Sequence, residues 1–344
     1  MLEMSFLNPT ITFYSDSERS NLPDSLLEFL RSLDGLTVFD IKGRDTNRCR
    51  VVTTLIHGNE PSGLVACHLW LRSNEVPATN LRIILCNPEA ALTKPFFTNR
   101  FVQHSDDLNR FFDKFENSTA GVAFRAKQIY ELVKEVSPEA IVDLHNTSGV
   151  SPAFSVSVSD SWKHLKLAEL FTSSLIHTEI HVGAIMELDF DAPIVTIECG
   201  GANDNSSHRI AADGLHAYFS LEQLFTTKDS NVVISRNPIR VKLVGDASVG
   251  FSHHRLTTTD ITLRADIEEL NHQLTPKDEF IGWCCPETPI AFQGLDRQQQ
   301  DQIAELFENR KGCLFTKKEM QLFMVTTVPE IATKDCLFYA TISN

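Results

Sequence analysis

Two histidines and a glutamate stand directly after apolar segments of the sequence, where their side chains could bind a metal ion. His57 and Glu60 follow the segment RVVTTLI, and His145 follows the segment AIVDL. Imidazole and carboxylate groups are common zinc ligands, and a zinc hydrolase usually takes three protein ligands and leaves a fourth position for water. His57 and Glu60 would supply two of these ligands, and His145 is the candidate for the third.

Each segment taken alone has a simpler interpretation. The pattern HxxE arises often by chance, and a histidine after a strand is more often a structural hydrogen-bonding group than a ligand. The two segments together are more specific, because open α/β sheets bind their ligands at the carboxyl ends of the strands. The HExxH motif of common metalloproteases is absent from the sequence, so the predicted site is of another type.

A further carboxylate, Glu198, lies near the end of a third apolar segment, IVTIEC. An unpaired carboxylate is costly to bury, so Glu198 needs either a partner or a function. A salt bridge, or a cap for the following loop, would be a structural explanation. The functional explanation is a general base beside the metal, since the proton acceptor should not itself be a zinc ligand.

Two more predictions concern the polar neighbours of this site. Asn109 and Arg110 in DLNRFF offer an amide and a forked guanidinium that suit a carboxylate, although such a pair could also be solvated surface. Asp143 lies two residues before His145, so their side chains should share one face of the strand. We expect Asp143 to contact His145. A carboxylate held by backbone donors is the alternative.

The residues above are carried by segments with the patterns of buried strands and amphipathic helices. The apolar segments predict strands at 50–56, 80–86, 140–144 and 194–199. Helical patterns lie at 24–33, 62–73, 121–136, 162–173 and 207–225. This alternation predicts an α/β domain in which helices cover a central sheet.

The chain has 344 residues, which is enough for two domains. The alternation ends near residue 228, and the remainder has the pattern of strands with one helical stretch near 297–309. We therefore predict a catalytic domain over 1–228 and a smaller β-rich domain over 229–344. Most of the eight cysteines lie in apolar segments and should be buried thiols. The adjacent Cys284 and Cys285 could instead be a redox pair.

Charge and hydropathy exclude several classes of protein. The chain has 31 basic and 45 acidic residues, a net charge of −14, and no local cluster of positive charge. Binding to nucleic acid or to anionic lipid is therefore not expected. The sequence has neither an apolar stretch of about 18 residues nor a signal-peptide pattern at its amino terminus. We expect a cytoplasmic protein that does not associate with membranes.

The motifs occur in an order that resembles a known family. HGNEPSG, NPEAALTKPFFTNR with DLNRFF, VDLHNTSG and IECGG are similar to segments of the succinylglutamate desuccinylase and aspartoacylase family of zinc hydrolases. The resemblance covers residues 50 to about 202. It implies the zinc carboxypeptidase-like fold, an α/β fold with a mixed central sheet flanked by helices, and the β-rich tail suits the family's smaller C-terminal domain.

Carried over by position, the resemblance implies a role for each site residue. It implies one zinc ion per chain, bound by His57, Glu60 and His145, and it makes Glu198 the catalytic carboxylate. Asn109 and Arg110 would bind the substrate carboxylate, and Arg100 is the candidate for the arginine that polarises the scissile carbonyl. The second carboxylate-binding arginine of several members has no counterpart, because the sequence has no arginine between Arg125 and Arg209.

The resulting hypothesis is a zinc-dependent amidohydrolase that removes the acyl group from a small N-acyl amino acid or related compound. The same groups could hydrolyse an ester. Two alternatives are a metallocarboxypeptidase that acts on peptides and a zinc-binding module without catalysis; a pure binding site would not need Glu198 as a base. The expected partner is a small molecule with a carboxylate. The sequence leaves open a homo-oligomer and does not identify the acyl group or the amino acid.

Overall fold

The computed structural model describes residue 7 and residues 9–334 and 336–342. The chain divides into two compact units. The first comprises the chain up to Asn146, Ala153–Leu175 and His181–Ile234. The second comprises Thr147–Pro152, Ile176–Ile180 and the chain from Ser235. The last boundary lies near the predicted one at 228/229, and the two internal segments of the second unit have no signal in the sequence.

A nine-stranded sheet forms the centre of the first unit. Its strands are β1 (Ile11–Ser15), β2 (Leu36–Ile41), β3 (Asp45–Thr54), β4 (Thr79–Leu85), β5 (Ala140–Thr147), β6 (Phe154–Ser157), β7 (Ser174–His177), β8 (Ile194–Gly201) and β9 (Val233–Arg236). The strand order is β1-β2-β4-β3-β5-β8-β6-β7-β9. The strand β3 pairs in parallel with β4 and β5, whereas β2–β4 and β6–β8 are antiparallel. The predicted mixed sheet is confirmed.

Five of the six α-helices described in the first unit lie at predicted positions, although those expected at 162–173 and 207–225 end at Ala168 and Ser220, and the short helix Pro88–Leu92 was not predicted. The six helices are α1 (Leu26–Ser32), α2 (Ser62–Ser73), α3 (Pro88–Leu92), α4 (Gly121–Glu135), α5 (Trp162–Ala168) and α6 (Asn205–Ser220). The helix α2 has the predicted bounds. The helix α6 begins two residues early, because the Asp204 side chain caps it by accepting a hydrogen bond from the Ser206 N–H at 2.8 Å.

Both faces of the central sheet are buried, which explains why its strands are apolar along most of their length. Val52 and Val142 belong to a core that includes residues of α2 and α6. Their neighbours Val51 and Ile141 belong to a second core that includes residues of α4. Because successive side chains of a strand point to opposite faces, helices cover the sheet on both sides, as expected for the α/β class.

The second unit contains two five-stranded sheets. Its strands are β10 (Ile239–Leu243), β11 (Val249–Ser252), β12 (Ile261–Arg264), β13 (Leu274–Thr275), β14 (Phe280–Cys284), β15 (Phe292–Leu295), β16 (Phe307–Arg310), β17 (Cys313–Thr316), β18 (Met320–Phe323) and β19 (Phe338–Ile342). The sheet orders are β13-β18-β19-β10-β15 and β11-β12-β14-β17-β16. Two short helices accompany them, α7 (Ile303–Leu306) and α8 (Pro329–Lys334).

One prediction for this unit was wrong. The helical stretch expected near 297–309 is a helix only over Ile303–Leu306, and Phe307–Arg310 forms the strand β16. The ladder with β17, from Phe307 opposite Thr316 to Arg310 opposite Cys313, satisfies the backbone of this segment. Pairing with the adjacent strand β17 therefore overrides the helical pattern in this segment.

All eight cysteines are free thiols, and five of them are buried. Cys284 is buried on β14 and Cys285 is partly exposed. Within the part of the chain that the structure describes, no helix combines the length and apolar character needed to cross a bilayer.

Candidate metal centre

The turn that follows β3 carries the first two predicted ligands. Leu55 has a left-handed φ of 55°, an uncommon conformation for a leucine, and it ends the strand two residues before His57. The turn then packs against α3 at Gly58. A Cβ at Gly58 would lie 2.4 Å from backbone atoms of Ala90 and Ala91, so only a glycine fits this close approach.

The three predicted ligands converge at the carboxyl ends of β3 and β5. Nδ1 of His57 lies 2.8 Å from Oε1 of Glu60, and Nδ1 of His145 lies 2.7 Å from Oε2 of Glu60. One donor atom from each residue lies within 4.8 Å of the others, and all three side chains are buried. This group could hold a metal ion. It is the one such group found among the described residues.

The other nitrogen of each imidazole faces a carboxylate. Nε2 of His57 is 2.9 Å from Oδ1 of Asp107, and Nε2 of His145 is 2.7 Å from Oδ2 of Asp143. The expected contact between Asp143 and His145 is therefore confirmed. Each imidazole, when protonated, donates to Glu60 through Nδ1, and a cation would take the place of these protons while the Nε2–H groups still donate to Asp107 and Asp143. Such an arrangement suits a cation between the three donors, and it is the outer arrangement typical of histidine metal ligands.

Electrostatics keep the carboxylates of this centre ionised. Burial acts to raise the pKa of Glu60, but the charges of His57 and His145 hold it well below its ordinary value. In the same way, burial is outweighed at Asp107 by His57 and Arg100, which hold its pKa well below the usual range. Once the two imidazoles are neutral, as metal ligands must be, the ionised carboxylates of Glu60 and Asp107 would attract a divalent cation.

Asp107 also connects the centre to the predicted substrate-binding residues. Its Oδ2 accepts a hydrogen bond from Nε of Arg100 at 3.0 Å, and Arg100 Nη1 lies 3.3 Å from Oε1 of Glu60. Its Oδ1 accepts from the backbone N–H of Asn109 at 2.9 Å, which caps the short 3₁₀ turn that ends at Arg110. Arg100 is therefore beside the predicted ligands, and the Asn109–Arg110 turn is held to His57 through Asp107.

The predicted substrate-binding pair itself lies in this turn. Asn109 is buried, and its Oδ1 accepts a hydrogen bond from the backbone N–H of Ile185 at 3.1 Å. Arg110 is partly exposed, and its Nη1 donates to the Asn109 carbonyl at 2.9 Å. The charge of Arg110 contributes to the low pKa of Asp107, so its guanidinium lies near the centre.

Glu198 lies on β8 opposite Phe154 of β6, and it is 7% exposed. Its Oε2 accepts no hydrogen bond from the described part of the chain, so neither structural explanation offered for this residue accounts for that atom. Burial raises the pKa of Glu198 to about 7, and the charges of His145, Glu60 and His57 also act on it. A carboxylate with such a pKa can exchange a proton near neutrality.

Sequence reasoning missed Asp107 and Asn146, although both lie within the motifs. Asp107 directly precedes Leu108–Arg110. An aspartate in the N-cap position of a turn is the sequence feature that could have indicated its role. Asn146 adjoins His145, and its backbone N–H donates to Oε2 of Glu60 at 3.3 Å. Their contacts with other elements are long-range, so spacing alone did not indicate them.

Comparison with known proteins gives a consistent result. The family model described as succinylglutamate desuccinylase/aspartoacylase catalytic domain matches residues 50–222, half of the chain. Among curated proteins no match was found.

Solved structures share the fold at low sequence identity. A succinylglutamate desuccinylase from Vibrio parahaemolyticus is 13% identical, with a TM-score of 0.61 over 93% of this chain and 95% of that chain. Succinylglutamate desuccinylase from Vibrio cholerae is 14% identical, with a TM-score of 0.57 over 92% and 99%. Murine aminoacylase 3 is 15% identical, with a TM-score of 0.55 over 87% and 96%.

Proposed function

Because the chain belongs to the succinylglutamate desuccinylase/aspartoacylase family, we propose that it is a zinc-dependent hydrolase that deacylates small N-acyl amino acids or related compounds. The observation that carries the proposal is the convergence of two imidazoles and one carboxylate within 4.8 Å, together with a further buried carboxylate, Glu198, whose pKa responds to the charges of all three. Three ligands with a separate base are what a catalytic zinc site requires.

Zinc would be held by His57, Glu60 and His145, and when bound it polarises a carbonyl and lowers the pKa of water. Glu198 accepts the proton of the attacking water and returns it to the departing nitrogen. Arg100, which already donates a hydrogen bond toward Glu60, stabilises the negative charge that develops on the carbonyl oxygen.

Residues that are not metal ligands would orient the ligands and the substrate. Asp107 and Asp143 hold the two imidazoles through Nε2 and so fix which nitrogen faces the metal. The Asn109–Arg110 turn binds the carboxylate of the substrate, since a guanidinium can make two parallel hydrogen bonds to it. The expected partner is therefore a small molecule with a free carboxylate.

We expect Arg110→Lys to lower kcat/KM about tenfold or more. Lysine keeps the charge but loses the forked contact, and a hydrogen bond to a charged group contributes about 1.5–3 kcal/mol. The measurement is steady-state hydrolysis of one N-acyl amino acid, with Arg72→Lys as the matched control. Arg72 lies on α2 and pairs with the exposed Asp24, so its replacement should leave kcat/KM unchanged. An Arg110→Lys enzyme as active as wild type would place the pair outside the substrate site.

Substrate preference follows from the missing second arginine. The two lysines between His145 and Glu198 are engaged elsewhere: Lys163 lies 5.4 Å from the ring centroid of Phe225, and Lys166 pairs with Glu169. We therefore expect N-acyl derivatives of neutral amino acids to be hydrolysed at least as well as N-acetylaspartate or succinylglutamate.

An amine-release screen tests both the function and this preference. The purified zinc-loaded protein is incubated with N-acetyl, N-formyl and N-succinyl derivatives of neutral and acidic amino acids and with dipeptides. A hundredfold preference for either dicarboxylate, about 2.7 kcal/mol, would require a dedicated contact and would contradict the expected preference. Cleavage of the dipeptides alone would favour a metallocarboxypeptidase.

A further inference from the structure

Three polar side chains form a hydrogen-bonded network that the proposed chemistry does not use. Ser62 is the first residue of α2, Asn146 lies at the end of β5, and His208 lies on α6. Ser62 and Asn146 are buried, and His208 is partly exposed. Ser62 follows β3, Asn146 lies on β5 and His208 follows β8, and the same three strands lead to Glu60 or carry His145 and Glu198.

Asn146 connects these segments directly. Its Oδ1 accepts from the backbone N–H of Ser62 at 2.9 Å, and its Nδ2 donates to Oγ of Ser62 at 2.8 Å and to the carbonyl of Gly200 at 2.9 Å. Both amide protons are thus used, which fixes the orientation of the group. Its backbone N–H donates to Glu60, and Gly200 follows Glu198 by two residues. Asn146 therefore touches a predicted ligand and the segment that carries the base.

His208, which is partly exposed, is the last member of the network. Its Nδ1 lies 2.8 Å from Oγ of Ser62. Burial lowers the pKa of His208, so a neutral ring is favoured, and Nδ1 can accept the hydroxyl proton. Since Oγ of Ser62 already accepts from Asn146, the donors run in one direction, from Asn146 to Ser62 to His208. This order fixes the Ser62 rotamer and, through it, the amide of Asn146.

We propose that Asn146, held in place by Ser62 and His208, is the positioning residue that sets the Glu60 carboxylate relative to the Glu198 segment. The inference rests on the proposed function, because it assigns the network a role toward the bound zinc and the base. A network that only stabilised the start of α2 would affect folding stability. A positioning network also changes the geometry at the metal.

The test uses Ser62→Ala and His208→Ala in the full-length protein. Ser62→Ala removes both hydrogen bonds of the hydroxyl, and His208→Ala removes one of them; neither residue is a predicted ligand. We expect each to lower zinc affinity about tenfold, within the 10- to 100-fold range known for outer partners of metal ligands. The visible spectrum of the cobalt-substituted protein should change, and kcat should fall while KM stays unchanged. His208→Asn, which places an amide atom near the Nδ1 position, should restore most of the affinity.

The double variant Ser62→Ala/His208→Ala gives a stricter criterion. Since both residues act on Asn146 through one series of hydrogen bonds, the double variant should lose no more zinc affinity than the more affected single variant. The matched control is His68→Ala. His68 lies on the same helix, is buried, and contacts the carbonyl of Pro23 at 2.7 Å, far along α2 from Ser62.

The outcomes separate this inference from the proposed function. The positioning role would be overturned if Ser62→Ala and His208→Ala kept wild-type zinc affinity and the wild-type cobalt spectrum and lost only thermal stability, as expected for His68→Ala. The proposed function would then remain intact. Additive losses in the double variant would also contradict the positioning role. A wild-type protein that binds no zinc would overturn the proposed function and this inference together.

Discussion

Replacement of Glu198 by Gln should abolish most of the activity while zinc remains bound. The amide has nearly the same shape as the carboxylate but cannot accept the proton of the attacking water. A positioned acid or base group commonly contributes a factor of about 10² to 10⁴, so we expect kcat to fall at least a hundredfold. The measurement combines amine-release kinetics with metal analysis of the same preparation.

The matched control is Glu139→Gln, at the residue that directly precedes the amino end of β5. Glu139 pairs with Arg48 and Arg50, so its replacement also removes a partly buried carboxylate, but at the amino end of the strand. It should lower stability and leave kcat within about twofold, as expected for two distant and independent sites. Zinc lost from Glu198→Gln would instead make Glu198 a metal ligand, and unchanged kcat would exclude it as the base.

Replacement of His145 by Ala should remove both the zinc and the activity. The change takes away one of three ligands and leaves Glu60 without the contact at 2.7 Å. The α/β core should persist, because Asp143 keeps hydrogen bonds from Thr53 at 2.7 Å and from Thr196 at 3.3 Å. We expect less than about a tenth of the wild-type zinc content after dialysis, following the cost of losing metal-site partners.

The same experiment on His68→Ala controls for the loss of a buried imidazole. That variant should retain one zinc per chain and full activity, while loss of the contact with the Pro23 carbonyl lowers its thermal midpoint. Full zinc occupancy in His145→Ala would rule out this residue as a ligand and would require a different metal site.

The strands and helices around the site were predictable because their signals are local. Buried strands such as 140–144 are apolar on both faces, and Val51 and Val52 do enter opposite cores. The strands β1 and β2 were not predicted; β1 is a short, half-exposed edge strand, and its pairing with β2 forms only after the intervening helix α1 has folded back. The expected helix near 297–309 is limited to Ile303–Leu306, because from Phe307 onward the chain pairs with β17.

Within the site, prediction succeeded where one strand alone determines the geometry. Asp143 and His145 share a face because strand residues alternate with a period of two. Asp107 contacts His57 from a turn fifty residues later. Asn146 on β5 contacts Ser62 on α2 and Gly200 on β8. These contacts exist only after the strand ends are brought together, so they could not be derived from the spacing of the motifs.

Chelation and reconstitution of the wild-type protein test the central claim most directly. Amine release from an N-acyl amino acid is measured on the purified protein, after removal of metal by a chelator, and after addition of one equivalent of zinc. The account predicts one zinc per chain, activity that disappears with the metal, and recovery when zinc is returned. Activity that survives complete metal removal, or a zinc-loaded protein that releases no amine from any substrate of the screen, would contradict it.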